Sequence, residues 1–249
     1  LAIMYRNLGL IELSIKTQIE ILEEDQFNSK SYYELSTMYD FSNHKEQLKN
    51  LLNLDIGNLS QEEKIYFCFA KANIHHIHKD YKKSAYFLNI ANEEKMHIQP
   101  SDIKRKLNTG EYYRNLKIDN TPNIKRTTDK NQYLFIVGMP RCGSTLLESI
   151  LSLNPSVKDL GEVPFLEESL NSTNDLSKVK NLYSEKVALI NSQKKIFTDK
   201  NLFNFLYCNV IYNFFPNARV IHCIRNPLDN ILSIYRTNFL NQSFSSSLN

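Results

Sequence analysis

The sequence has no apolar run long enough to cross a bilayer, which in a helix takes about 20 consecutive apolar residues. An excess of one charge is missing too. The net charge is only +3, and this gives no reason to invoke nucleic acid or an anionic membrane, which call for a concentrated basic face. The opening residues Leu1 to Arg6 lack the basic flank and apolar core of a signal peptide and read as mid-helix. Cysteine is sparse. Cys68, Cys142, Cys208 and Cys223 form no C-x-x-C pair, a pattern that argues against a disulfide framework or zinc site and suits a reducing, cytoplasmic compartment. The cluster His75-His76-x-His78 has no acidic or thiolate partner at suitable spacing, so it reads as a solvated helix end rather than a metal site. Nor does the polar end, Ser243 to Asn249, supply a closing element; the expectation is a chain truncated at both ends. What remains, 42% hydrophobic and 23% charged, is ordinary globular composition.

The present features fall into two halves with different periods. Over residues 1–115 apolar residues recur at three- and four-residue steps, as at Ile11, Ile15, Ile19 and Leu22, and proline is absent before Pro100; this is helical patterning. Leu1-Ala2-Ile3-Met4-Tyr5 returns as Leu35-Ser36-Thr37-Met38-Tyr39, 34 residues on, and a third unit runs from Phe69 through Asn73 to Ala85. That period, with small residues where paired helices touch (Gly9 and Ser14, Ala72 and Ser84), resembles the tetratricopeptide (TPR) pattern. Residues 116–130, polar with Pro122 and paired threonines, read as a linker. From 131 to 249 the period changes. Tyr133–Val137, Lys195–Thr198 and Ala218–Ile224 are short runs rich in β-branched and aromatic residues. Helical patterns follow each of them, over Ser144–Leu153, Asn201–Phe215 and Pro227–Phe239. The expected fold class is therefore α/β, a P-loop-like parallel sheet covered on both sides, preceded by a TPR-like solenoid.

Gly138-Met139-Pro140-Arg141-Cys142-Gly143-Ser144-Thr145 joins a strand to a helix, a place where backbone N–H groups and the helix dipole attract an anion. Its G-x-x-x-x-G spacing matches the P-loop of nucleotide triphosphatases, but Ser144 stands where that motif has Lys. The cation is Arg141, inside the loop. A terminal sulfonate, with one charge and no need of a metal clamp, suits this better than a γ-phosphate with Mg²⁺. A P-loop kinase or hydrolase would also need a Mg²⁺-binding carboxylate after a strand.

The segment FIVGMPRCGSTLLESILSLNP resembles the 5′-phosphosulfate loop of the sulfotransferase superfamily, commonly P-R-S-G-T-T-L, with Cys142 for Ser and Ser144 for Thr. The first departure sets a thiol at a helix N-terminus beside Arg141. About 80 residues later, RVIHCIRNPLDNILSIYRTNF resembles the family's 3′-phosphate element, whose Arg and Ser match Arg225 and Ser233. In that segment Asn226 reads as an N-cap and Pro227 as the first helical residue. Between them Glu162, after Gly161, and Lys200, at a strand end, resemble the base and the lysine of tyrosylprotein sulfotransferases and bacterial TPR-linked sulfotransferases. The DK-x-P-x-N pattern of the latter keeps Asn204 but has Leu202 for Pro.

The resemblance implies sulfuryl transfer from 3′-phosphoadenosine-5′-phosphosulfate (PAPS) to a hydroxyl, without metal, leaving PAP. In it Glu162, Lys200 and Arg141 are catalytic, and Arg141, Cys142, Gly143, Ser144, Thr145, Arg225 and Ser233 bind the donor. Glu167 and Glu168 are weaker candidates for the base. The acceptor (protein tyrosine, carbohydrate or small molecule) is not specified, and the TPR-like half is expected to hold it. The competing expectation is a TPR interaction scaffold carrying a degenerate P-loop-like domain.

Overall fold

A computed structural model describes residues 1–39, 41–100, 103–117, 131–190 and 193–239. The chain divides into two compact units, Leu1–Asp102 with Ile231–Asn249, and Ile103–Asn230.

The first unit is helical: α1 (Ala2–Asn7), α2 (Ile11–Glu24), α3 (Ser29–Ser36), α4 (Lys45–Asn53), α5 (Gln61–Ile77) and α6 (Tyr81–Ile98). The starts follow local chemistry. Asn28 accepts from Ser31 N at 3.0 Å, Asp80 accepts from Lys83 N at 3.2 Å, and Ser60 with Glu63 forms a capping box. Small residues lie where the sequence period requires them. Ser14 Oγ of α2 donates to Ala2 O of α1 at 2.9 Å, and Ser84 Oγ of α6 donates to Ala72 O of α5 at 2.8 Å. The same clasp thus recurs across two helical hairpins. Gly9, with φ +76°, makes the turn before α2. The core gathers Leu22, Tyr32, Leu35, Phe41, Leu51 and Phe67. Lys71 is buried and donates to the α4 end carbonyls of Leu54 (2.6 Å) and Leu52 (3.3 Å). The histidine cluster divides: His75 stacks on Phe87 and lies 3.6 Å from Asp80, while His78 is exposed at the helix end as expected.

The second unit contains α7 (Ile103–Asn115), β1 (Gln132–Gly138), α8 (Ser144–Ser152), β2 (Val157–Asp159), α9 (Phe165–Asn171), α10 (Val179–Ala188), β3 (Ile196–Asp199), α11 (Cys208–Phe214), β4 (Arg219–Cys223) and α12 (Pro227–Tyr235), whose last turns fall in the first unit. Among the described residues the sheet has the order β2-β3-β1-β4, and every pairing is parallel. Helix α7, read with the helical half in sequence, groups here. Asn209 donates to Tyr113 O (2.9 Å) and Leu116 O (3.2 Å), and the Tyr113 ring meets Tyr207 edge-on. Most of the expected linker, 118–130, lies outside the described residues.

Two expectations need correction. β1 and β3 are buried as parallel strands should be, but β4 is not; Val220 is 43% exposed. Among the described residues β4 is one of the two edge strands, flanked by β1 alone. The helix read over Asn201–Phe215 is broken into a 3₁₀ segment (Leu202–Tyr207) and α11. The Asn201 side chain accepts from Phe203 N and Asn204 turns back onto Asp199, so the first turns wind tightly.

Candidate active site

Parallel strands all point their carboxyl ends to one edge of the sheet, where ligands of open α/β folds bind. The residues singled out in sequence follow those ends: the loop after β1, Glu162 beyond β2, Lys200 after β3 and Arg225 beyond β4.

The β1–α8 loop needs its glycines. Gly138 has φ +151°, and a Cβ there would stand 2.6 Å from Cys223 O, so only glycine allows β4 this close. Gly143 has φ +96° and precedes α8 with no side chain to cap it. The first N–H groups of α8 have no intrahelical acceptor and point, with the helix dipole, toward any bound anion. Between the glycines Arg141 adopts φ +67°, a left-handed conformation that costs a residue with a Cβ on the order of 1 kcal/mol. Two side chains hold it: Asn230 donates to Pro140 O at 2.6 Å and Arg225 Nη1 donates to Arg141 O at 3.1 Å. Ser144 is buried, while Arg141 and Thr145 are exposed.

Lys200 Nζ lies 2.8 Å from Glu162 Oε1. The lysine side chain is 7% exposed and the glutamate 66%, so a buried cation is paired with a carboxylate that solvent and a ligand can reach. Their backbones meet too, with Lys200 N donating to Gly161 O at 2.8 Å. Behind them is a residue the sequence reading missed. Glu148, buried in α8, accepts from Thr198 Oγ1 at 2.8 Å and from Gly161 N at 3.2 Å. One carboxylate thereby joins the helix that opens at the anion loop, the turn before Glu162 and the strand before Lys200.

Asp199 is fully buried. Its Oδ1 accepts from Asn201 N and Asn204 Nδ2, and its Oδ2 from Tyr183 Oη, each at 3.0 Å. Burial pushes its carboxyl up to about 7, with the Glu148 charge adding to the rise and these hydrogen bonds opposing it. Asn204 of the resembling pattern thus braces the aspartate beside Lys200.

Arg225 is exposed beyond β4, and Asn226 Oδ1 accepts from Leu228 N (3.0 Å) and Asp229 N (3.3 Å), capping α12 as expected. Ser233 is half-buried two turns along this helix. Of the competing carboxylates, Glu168 pairs with Lys186 at 2.8 Å, and both it and Glu167 lie in the first turn of α9. No group of three or more metal-ligating side chains occurs among the described residues, and none of their helices is long and apolar enough to cross a membrane.

The Sulfotransferase family model matches residues 133–181 and 166–249 of this chain. The chain is also 33% identical, over 129 residues, to an uncharacterized protein of Aquifex aeolicus (strain VF5). That alignment takes in 43% of this chain and 17% of the relative, so the chain spans under a fifth of the relative's length. No solved structure matches. The matched stretch begins in β1 and takes in the β1–α8 loop, Glu162, Lys200 and Arg225, so this part of the chain is similar to the sulfotransferase family.

Proposed function

We propose that the protein transfers a sulfuryl group from PAPS to a hydroxyl, with the acceptor held by the helical unit acting as a TPR-type surface. The observation that carries this reading is the Lys200–Glu162 pair at 2.8 Å, at the same sheet edge as a glycine-framed anion loop. The residues suit the donor. The close approach at Gly138, the open α8 N-terminus with Cys142, Gly143, Ser144 and Thr145, and Arg141 offer N–H groups and one cation to a phosphosulfate, with no lysine of the P-loop type.

When bound, PAPS supplies an electrophilic sulfur and a leaving phosphate. Glu162, oriented by its ion pair with Lys200, takes the proton of the acceptor hydroxyl as its oxygen bonds to sulfur. The bond from sulfur to the bridging oxygen breaks, that oxygen keeps the electron pair, and Lys200 and Arg141 neutralise the charge it gains. Glu148 acts as a positioning residue. Arg225 and Ser233, on the β4–α12 segment, read the 3′-phosphate that separates PAPS and PAP from ordinary adenine nucleotides.

The test is PAP titration of the full-length protein in excess EDTA, with ADP as competitor. PAP should bind without metal and outcompete ADP by at least about tenfold, the share of one charge-assisted hydrogen bond. Equal affinity for the two nucleotides, or PAP binding abolished by chelation, overturns the reading.

A further inference from the structure

Cys142 and Cys223 are 81 positions apart and share no sequence motif, yet the fold makes them neighbours. Gly138 pairs with Cys223 across β1 and β4. The loop leaving Gly138 then turns back, so that Cys142 Sγ lies 3.3 Å, and Cys223 Cβ 3.4 Å, from the point a Cβ on Gly138 would occupy. The Cys142 thiol and the Cys223 side chain thus border the same space, the one left by the missing side chain of Gly138. They are in hydrogen-bonding reach, and burial, followed by the neighbouring Cys142, raises the Cys223 thiol above the ordinary range. Both residues are half-buried and both are free thiols. The other two cysteines are different: Cys68 is fully buried with its thiol pushed up to about 11, and burial also raises Cys208.

We propose that Cys142 and Cys223 form a reversible intramolecular disulfide, making the anion loop a thiol-modification site. The oxidant is a low-molecular-weight disulfide. The Cys142 thiolate attacks one of its sulfurs, forming a mixed disulfide and expelling one thiolate. Cys223 gives up its proton and attacks Cys142 Sγ, expelling the second. The two cysteines lose two electrons, the small disulfide gains them, and the two protons end on its two thiols. The bond draws Cys142 toward β4 and moves the N–H groups of the loop. The consequence for donor binding rests on the sulfotransferase reading; the thiol chemistry does not.

The full-length protein is incubated with oxidised glutathione, remaining thiols are alkylated, and peptides are mapped by mass spectrometry before and after dithiothreitol. A cross-linked peptide joining Cys142 to Cys223, released by the reductant, with Cys68 and Cys208 still alkylated as thiols, is the expected result. Cys223→Ser should lose the cross-link and carry glutathione on Cys142, while its reduced form binds PAP as wild type does. Both thiols left alkylated, or glutathione on Cys142 of the wild type with no cross-link, overturns the proposal. PAP affinity should fall at least about tenfold on oxidation, as loss of one charge-assisted hydrogen bond implies, and unchanged affinity in a cross-linked protein overturns that consequence. A cross-link in a protein that binds no PAP even when reduced supports the disulfide and defeats the donor reading instead.

Discussion

Lys71 in the helical unit and Lys200 in the α/β unit are equally hidden, 3% and 6% exposed, but their charges are met differently. Lys71 gives its protons to two main-chain carbonyls at the end of α4, a contact that closes a helix and offers nothing to a ligand. Lys200 meets a carboxylate that is itself two-thirds exposed. The other buried polar groups divide likewise. Ser14 and Ser84 clasp helices, whereas Glu148, Thr198 and Asp199 converge on the ends of parallel strands. Buried polarity alone does not mark a site. At the strand ends several such groups converge behind one reachable charge.

The contrast is broken most sharply at Glu162. Glu162→Gln keeps the shape and removes the proposed base, so turnover should fall about 10²–10⁴-fold with PAP affinity and melting temperature nearly unchanged. Steady-state kinetics and a binding titration check this. An active variant would move the role to Glu167 or Glu168.

Asp199 allows the comparison to be read through pH. Its folded carboxyl titrates near 7, against about 3.9 in an unfolded chain. Between those values the folded state holds the extra proton, so this group's contribution to stability is greatest below about pH 4 and is lost as pH rises to about 7. The loss is on the order of a few kcal/mol at most. Denaturant unfolding at intervals from pH 4 to 8 should show a decline that Asp199→Asn flattens. The same decline in both proteins would assign it to other groups.

Arg225→Ala should remove most of the preference for PAP over ADP, about ten- to a hundredfold, while weakening ADP little; competition binding reads this directly. The smallest effect belongs to the helical unit. Ser84→Ala should cost about 0.5–1.5 kcal/mol of stability and leave the reduced protein's PAP affinity alone. A change in donor binding would mean that the clasp serves more than the helices.

The strand–loop–helix from β1 to α8 was legible because its glycines, arginine and flanking elements form one local pattern, and Gly138 and Gly143 both have positive φ. Glu162 and Lys200 could be nominated singly, but their pairing depends on the strand order β2-β3, which spacing does not encode. Glu148 was invisible: at the fifth position of α8 it looks like part of a solvated helix face, and only the fold brings it to Thr198 of β3 and to Gly161 beyond β2. The thiol pair was hidden for the same reason. β4 misled because an apolar run reads alike in a central strand and an edge strand, and neighbours alone decide which it is. The 3₁₀ turns after Lys200 went unseen since their cause is a local set of side-chain bonds, Asn204 onto Asp199 and Phe203 N onto Asn201, which apolar periodicity does not register.

The repeated serine clasp has a consequence for how the helical unit comes apart. Its principal contacts run from helix to nearby helix, α1 to α2, α2 to α3, α3 to α5 and α5 to α6, and each clasp ties only the hairpin that contains it. The α1–α2 clasp lies outside the core shared by Tyr32, Leu35, Leu51 and Phe67, so that outer hairpin can fray before the core opens. Hydrogen exchange should therefore show graded protection along α1 to α6, with the α1–α2 hairpin opening before α5–α6. β1, by contrast, is held between strands that lie far along the chain on its carboxyl side, so its amides can exchange only when the sheet itself is lost.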